Sequence, residues 1–558
     1  MTIVEGSLTK FKKLLKKRMS NQEIEETLAD IGMELKSIEK DEIRIEITAD
    51  RVDLITINGL ARAVNCYKGF VKEYTEIKVN KSDYELLVDS SIKKYPNSAN
   101  CRSFVIKNIK LSDADIIELM HVQEKIHDTY GRKRKKLSMG FYDLDKIKFP
   151  VTYSAKKPGE VKFIPLGMIN ELSGSDILKQ HPTGKEYAHL LMGNDRYPFH
   201  IDASGQVLSM PPIINSNNLG KLDTKTKNIF METTGLDADV LDNVVVIMAT
   251  MFYDLGGQIY EVKIKDGKQV FVSPNIKTRK RIISTEFVNK LIGINLKSSE
   301  LKDLLLKMEY NVISVKNDKV SFEVPACRVD IWHDVDIADD IARAYSYNNI
   351  IPRLPNISTI SAMLPINTLK EDISNYLASL GLVEVRTFAL TSEEDQYRKM
   401  NISLKDHISL GKNTADKSIN MVREWLLPET IKALIANRNK SYPQNVFEVG
   451  EVVVPDKKEQ SKARNVNKLV CLNCGEKAYY TSMKQILDSL FEFLNLTYDL
   501  EECKHGSFIE GRVGRIFVNK KEVGVVGEIH PQVLVNIGLN YAVSALEINL
   551  SSLLEILK

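Results

Sequence analysis

One run constrains this chain more than any other: Val324-Pro325-Ala326-Cys327-Arg328-Val329-Asp330, continuing through Asp334, Asp336, Ile337, Asp339, Asp340 and Ile341. It reads as an extended segment stopped by a proline, a loop through Asp330, and a helix entered at Asp336. Ile337, Ile341 and Tyr345 recur at four-residue spacing, an apolar stripe that must face a core. Asp339 and Asp340 then fall in the first turn. Two readings of these acids follow. Three carboxylates at a helix entrance, with Asp330 upstream, can converge on one hard cation, and oxygen-only ligands suit Mg²⁺. Asp336 can equally cap the helix, with Asp339 answering it one turn later and the helix dipole favouring both.

At 558 residues the chain exceeds a single core, and about 150 residues per domain predicts three or four. Lys plus Arg is 77 against 74 for Asp plus Glu, a net charge of +3. That excludes a surface built to wrap nucleic acid, so any such contact is local. The six cysteines, Cys66, Cys101, Cys327, Cys471, Cys474 and Cys503, are sparse and point to a reducing, cytoplasmic home. The segment Met1–Ser7 has no basic stretch leading into an apolar one, so no secretory signal is expected. Val244 to Thr250 is apolar or small but far too short to span a membrane.

Four blocks are expected. In residues 1–82, Leu8, Phe11, Leu14 and Leu15 mark a short helix. Ser20 and Glu23 form a capping box for a helix ended by Gly32, and Ile43, Ile45 and Ile47 alternate as a strand. Residues 83–271 have the Gly-, Pro- and Asn-rich texture of short strands and loops. Residues 272–352 carry two short helices, then the acidic one; Lys277, Arg279, Lys280 and Arg281 read as a solvated basic cluster. After a linker punctuated by Pro352, Pro355 and Pro365, residues 360–558 alternate helices and strands: a helix over Leu369–Leu380, and strands at Val383–Leu390, Val446–Val454, Arg515–Val518 and Val523–Ile529. Hairpin-length links favour a mainly antiparallel sheet with helices packed on it. No GxxxxGK[ST] loop or GxGxxG turn is present. Cys471 and Cys474 have metal spacing, with Cys503 and His505 to complete a zinc set, yet Leu469-Val-Cys-Leu also reads as a buried strand. Arg132-Lys-Arg-Lys-Lys136 reads as a solvated loop able to touch phosphates.

The segment Arg328-Val-Asp330, Asp336-Ile, Asp339-Asp340-Ile-Ala, Tyr345-Ser-Tyr347 resembles the magnesium-binding segment of phenylalanyl-tRNA synthetase beta subunits of the archaeal, eukaryotic-cytosolic-like type. The resemblance implies Asp330, Asp336, Asp339 and Asp340 as Mg²⁺ ligands. The family commonly has Glu at the place of Asp339 and Gly at that of Ser346, so the shorter acid would reach the ion through a water. Glu46–Arg62 is similar to the family's N-terminal domain. Arg423-Glu-Trp-Leu-Leu-Pro428, Asn445–Gly450, Phe508–Arg512 and Gly527–Pro531 resemble its class II synthetase-like domain, which does not perform ligation. Activation needs arginines on the ATP phosphates. Arg423 is the nearest candidate, with Trp425 where an acid would sit.

Pro182–His189, Tyr197-Pro-Phe, Met210–Asn217 and Phe230–Gly235 resemble the family's editing domain. A pocket that tells tyrosine from phenylalanine must hydrogen-bond the extra hydroxyl. Asn215, Ser216, Asn217 and Glu232 are suitable groups; otherwise Asn215–Asn217 is a turn and Glu232 a surface acid. The expectation is a multi-domain α+β chain: a small N-terminal α/β unit, an editing-type mixed domain, a small helical magnesium-binding domain and a class II synthetase-like antiparallel-sheet domain. Its implied partners are an alpha subunit, as an (αβ)₂ heterotetramer that charges tRNA(Phe) with ATP, and tRNA(Phe) itself, with no membrane. A free-standing hydrolase of mischarged tRNA would not need the acidic helix or the last block. An RNA-binding scaffold would not need the polar pocket.

Overall fold

Helix caps shape the N-terminal part of the computed structural model, which describes residues 2–72, 74, 76–94, 99–411, 414 and 416–557. The Ser7 hydroxyl accepts the Lys10 amide and starts the helix Leu8–Leu14. Ser20 and Glu23 cap Asn21–Ile31 reciprocally, and Gly32 ends that helix at φ 92°. Strands Thr2–Ser7, Glu42–Ile47 and Glu34–Glu39 lie side by side in that order, all antiparallel. Ile43, Ile45 and Ile47 face inward against Phe11, Ile24 and Leu28, so the alternation in sequence is the burial pattern.

The chain divides into two units, Met1–Leu354 and Pro355–Lys558. The middle of the first unit holds two sheets. The five-stranded sheet runs Val79–Asn80, Gln258–Tyr260, Asn100–Lys107, Ile229–Gly235, Leu137–Asp143. On one face Met139, Phe141 and Met231 meet the helices Asp113–Asp128 and Ala238–Asp254; on the other Tyr142 and Phe230 meet Tyr153 and Leu208 of the seven-stranded sheet. The apolar stretch Val244–Thr250 lies inside the second helix, buried throughout. Among the described residues no helix is long and apolar enough to cross a membrane.

Residues 272–352 are not simply helical. Arg279–Ser284, Lys319–Val324 and Asn311–Lys316 form an antiparallel sheet under helices Thr285–Ile292, Ser298–Lys307 and Asp334–Tyr345. Val320, Phe322 and Val324 supply its alternating buried face. Arg279 and Arg281 are not a free basic cluster: they donate to the carbonyls of Arg328, Ile331 and Trp332, tying down the loop before the acidic helix. Buried ion pairs join the parts of this unit. Arg51 holds Asp53 at 2.9 Å and Glu309 at 2.9 Å; Arg62 holds Glu309 at 2.7 Å and also Asp254.

The second unit is built on a seven-stranded sheet: Val383–Glu384, Gln444–Pro455, Ala463–Cys474, Val543–Asn549, Lys521–Ile529, Phe508–Val518, Asp499–Glu502. Only the first pair is parallel. Helices Pro365–Ser379, Tyr480–Phe493 and Leu550–Leu557 cover one face, and Leu427–Ala436 with Pro531–Ile537 the other. The expected strand Val383–Leu390 is broken. Val383 and Glu384 pair with Val446 and Phe447, but Thr387 turns inward to donate to Glu448 at 2.6 Å.

Candidate functional site

Glu232 occupies a position that strand alternation reserves for apolar residues. It follows Phe230 on the face of Ile229–Gly235 that meets the second sheet, and it is 2% exposed. Its register partners are Ser103 and Gly140. A Cβ at residue 140 would stand 2.1 Å from the Tyr142 Oη and 2.9 Å from Glu232 Oε1, so only glycine leaves these two side chains room to meet. Tyr142 donates to Glu232 Oε1 at 2.8 Å, while Oε2 is buried with no hydrogen-bond partner. Burial pushes the Glu232 carboxyl up to about 8, against the pull of the Tyr142 and Ser209 hydroxyls.

His200 lies behind it, fully buried, stacked on Tyr153 with centroids 4.4 Å apart. Its Nδ1 is 3.6 Å from Glu232 Oε1 and 3.2 Å from Ser209 Oγ. Burial drives the His200 imidazole down to about 3. The contact is therefore between two neutral groups at pH 7, not an ion pair. Ser209 and His200 have the separation of a nucleophile and its base, and burial of the imidazole weakens that base. The pair positions Glu232 instead.

Of these groups Ser209 and Glu232 line a cavity of about 570 Å³, within the range of small-ligand sites. Asn215, Asn217 and Glu232 line it together; Ser216, predicted with them, is buried and does not. Ile116, Leu119 and Phe141 supply apolar wall. Glu124, His127 and Arg134, which sequence reasoning missed, form the polar wall. Arg134 donates to the Ile213 carbonyl at 2.9 Å and Glu124 Oε1 at 2.9 Å, with its guanidinium 4.5 Å over Tyr187. His127 Nε2 accepts the Met139 amide at 2.9 Å, so its proton sits on Nδ1, which faces Glu124 Oε1 at 3.6 Å. Their signal was present: Glu124 and His127 share a helix face one turn apart, and Arg134 is in the basic run.

The four aspartates do not converge. Asp330 and Asp340 both take the buried guanidinium of Arg328, at 2.8 Å and 2.5 Å. Asp340 also accepts the Tyr310 hydroxyl at 2.6 Å. The helix begins at Asp334 with His333 as N-cap, two residues before the expected entry. Asp336 caps it from the third position, accepting the amides of Trp332 and His333 at 2.8 Å and 2.7 Å. Asp339 pairs with Arg343 at 2.9 Å and accepts from Tyr347 at 2.7 Å. Among the described residues no three His, Cys, Asp or Glu side chains gather as metal ligands. So arranged, the four carboxylates are not gathered as one ligand set: Arg328 takes Asp330 and Asp340, while Asp336 and Asp339 are engaged separately.

The zinc set fails on geometry too. Cys471 and Cys474 lie on one strand but project into opposite cores, as an odd offset in a strand requires. Burial pushes both thiols up, Cys474 to about 11. Arg423 is no phosphate clamp. It is 4% exposed, donating to Glu448 at 2.8 Å and to the Glu451 carbonyl at 2.9 Å.

Three family models match the chain: "Phe-tRNA synthetase beta subunit B1 domain" over residues 1–70, "tRNA synthetase B5 domain" over 282–347, and "Phenylalanyl tRNA synthetase beta chain CLM domain" over 350–550. They define a tRNA synthetase subunit. The phenylalanine--tRNA ligase beta subunit of Pyrococcus furiosus is 36% identical over 550 residues, 97% of this chain and 98% of the relative. That of Pyrococcus abyssi is 36% identical over 510 residues, 91% and 90% respectively. The crystal structure of an N-terminal fragment of the Pyrococcus horikoshii beta subunit superposes with a TM-score of 0.59 at 30% identity, covering 62% of this chain and 100% of the fragment. The chain belongs to the phenylalanine--tRNA ligase beta-subunit family, subunits of an aminoacyl-tRNA synthetase that is a ligase of protein biosynthesis.

Proposed function

We propose that the chain serves phenylalanyl-tRNA synthesis as the subunit that does not ligate, and that its cavity hydrolyses tyrosyl-tRNA(Phe). One observation carries the editing reading: a buried carboxyl with one oxygen left without a hydrogen-bond partner, lining a cavity of largely apolar surface, where burial favours its protonated form. Such a group donates to a phenol oxygen and gains nothing from a bare phenyl ring, which leaves it unpaired. Asn215 and Asn217 supply the complementary amides. The nucleophile in this reading is a positioned water.

In this proposal residues 83–271 are the editing domain, 272–352 the small domain of the acidic helix, and 360–558 a class II synthetase-like domain whose one candidate arginine is consumed internally. Ligation then belongs to an alpha subunit, in a cytoplasmic (αβ)₂ heterotetramer with tRNA(Phe). Val383 is 62% exposed on a strand at the sheet edge, with Phe388 87% and Leu390 50% exposed close after it in sequence. Exposed apolar side chains beside an open strand suit a partner chain. Magnesium is the ion that membership of this family implies for the assembled enzyme.

Asn217→Ala and Glu232→Ala in the assembled enzyme should slow tyrosyl-tRNA(Phe) hydrolysis roughly ten- to hundredfold, leaving phenylalanine charging near the parental rate. Parental hydrolysis by both variants would sink the proposal.

A further inference from the structure

The basic run is not an ordinary solvated loop. Arg132, Lys133 and Arg134 have φ values of 47°, 54° and 60°, three consecutive left-handed residues without a glycine among them. L-residues avoid that region singly, and a run of three is costly. Such strain persists only where surrounding contacts over-determine it. Those contacts are here. The helix Asp113–Asp128 ends against the turn: the amides of Gly131, Lys133 and Arg134 reach the carbonyls of Ile126, Asp128 and His127 at 2.8, 3.3 and 3.1 Å. A Cβ at Gly131 would stand 2.4 Å from the His127 carbonyl, so the tight reversal needs glycine. Lys136 closes the turn through its amide to the Gly131 carbonyl at 2.8 Å.

The turn separates its charges. Arg134 goes inward and walls the cavity. Arg132, Lys133 and Lys135 are exposed, and none has an ion-pair partner among the described residues. Lys221, also exposed, lines the same cavity. Arg134, the other basic residue that lines the cavity with Lys221, is paired with Glu124. Uncompensated cations on a rigid, strained scaffold beside a cavity favour a polyanion whose end enters it.

We propose that this left-handed turn is a guide for a single-stranded RNA 3′ end, with Arg132, Lys133 and Lys135 holding its phosphates while the terminal ester enters the cavity. The proposal rests on the ester-hydrolysing reading, because the ester of an aminoacyl-tRNA is borne on such a strand. An acidic polypeptide would meet the same charges but would bring no ester to the cavity.

The test is the triple variant R132N, K133N, K135N in the assembled enzyme. Asn tolerates the left-handed region better than other side chains of its size, so the turn is kept while its charge is removed. Hydrolysis of tyrosyl-tRNA(Phe) is measured against KCl concentration, beside hydrolysis of tyrosyl-adenosine, which carries no phosphate. The expected result is KM for the tRNA ester raised about tenfold near 0.1 M salt, its log–log salt slope reduced by about 2, and kcat unchanged. Tyrosyl-adenosine should be hydrolysed as by the parent, and R132K, K135R, which keeps the charge, should match the parent on both substrates. An unchanged KM and salt slope overturns the guide while the cavity reading stands. Equal loss on tyrosyl-adenosine overturns it too, showing that the turn only shapes the cavity. A parent inactive on both esters removes the cavity reading and the guide with it.

Discussion

Glu232→Gln isolates the proton that the pocket is inferred to hold. Glutamine is neutral at every pH, keeps an oxygen for the Tyr142 hydroxyl, and puts an amide where Oε2 now lies unpartnered. In the native chain burial raises the carboxyl from 4.5 to about 8. Between those values the folded state keeps its proton while the unfolded state has lost it. Stability from this group is therefore fully present below 4.5 and falls as pH rises, at about 1.4 kcal/mol per pH unit, until about pH 8. From pH 5.5 to 7.5 the parent should lose about 3 kcal/mol relative to the Gln variant. Every other titrating group is common to both chains, so the difference between the two unfolding curves reports Glu232 alone. Urea unfolding of the full chain at several pH values measures it. The tyrosyl-esterase activity should also fall on the alkaline side of pH 8 in the parent and stay flat there in the variant. A stability difference constant across pH 5.5–8 would refute the neutral acid, and with it the account of hydroxyl recognition.

Asp336→Ala removes the acceptor of two amides and should cost about 0.5–2 kcal/mol. Asp330→Ala, which leaves Arg328 with Asp340 and the Met308 carbonyl, should cost about 1–3 kcal/mol. Both losses, and the parent's melting temperature, should be the same with and without EDTA; a chelator-induced drop in the parent that either variant abolishes would restore these aspartates as metal ligands. Arg423→Ala strands the buried Glu448 carboxylate and should cost about 3–5 kcal/mol in unfolding experiments. The purified chain without its alpha partner should not charge tRNA with phenylalanine, and ATP-dependent charging by it alone would contradict the internal use of Arg423.

Local signals were legible in the sequence because their physics is local. The Ser20–Glu23 box, the Gly32 stop and the Ile43–Ile47 alternation need only neighbours within a turn or a strand. The aspartate segment shows where this ends. Its helix was visible, but Arg328, two residues from Asp330, reads as one more basic residue until Tyr310, from outside the segment, and Asp340, twelve residues on within it, fix its guanidinium. The sheet under that helix was hidden for a similar reason: Asn311–Lys316 has little alternation of its own and is defined by its partner. The pocket was half legible. Asn215, Asn217 and Glu232 came from resemblance, whereas Glu124, His127 and Arg134 reach the cavity by a register that pairs Leu137–Asp143 with Ile229–Gly235, some ninety residues later.

The treatment of buried acids sets the cavity apart from the rest of the molecule. Asp53 and Glu309 take arginines, Asp340 takes Arg328, Glu448 takes Arg423, Glu429 takes Lys432, and Glu547 takes Lys468. Asp202 has no cation but accepts the amides of Lys148, Ser204 and Gln206. Each is a stable solution to desolvating a carboxylate. Glu232 has neither solution. It has only the neutral Tyr142 and Ser209 hydroxyls, a neutral histidine and an oxygen without a hydrogen bond, and burial favours its protonated form. A packed core gains nothing from such a residue, since Gln or Leu would fill the space without the penalty. Retaining an acid there makes sense if a ligand supplies the missing partner, and the ligand that fits is one carrying a hydroxyl at the tip of an otherwise apolar side chain.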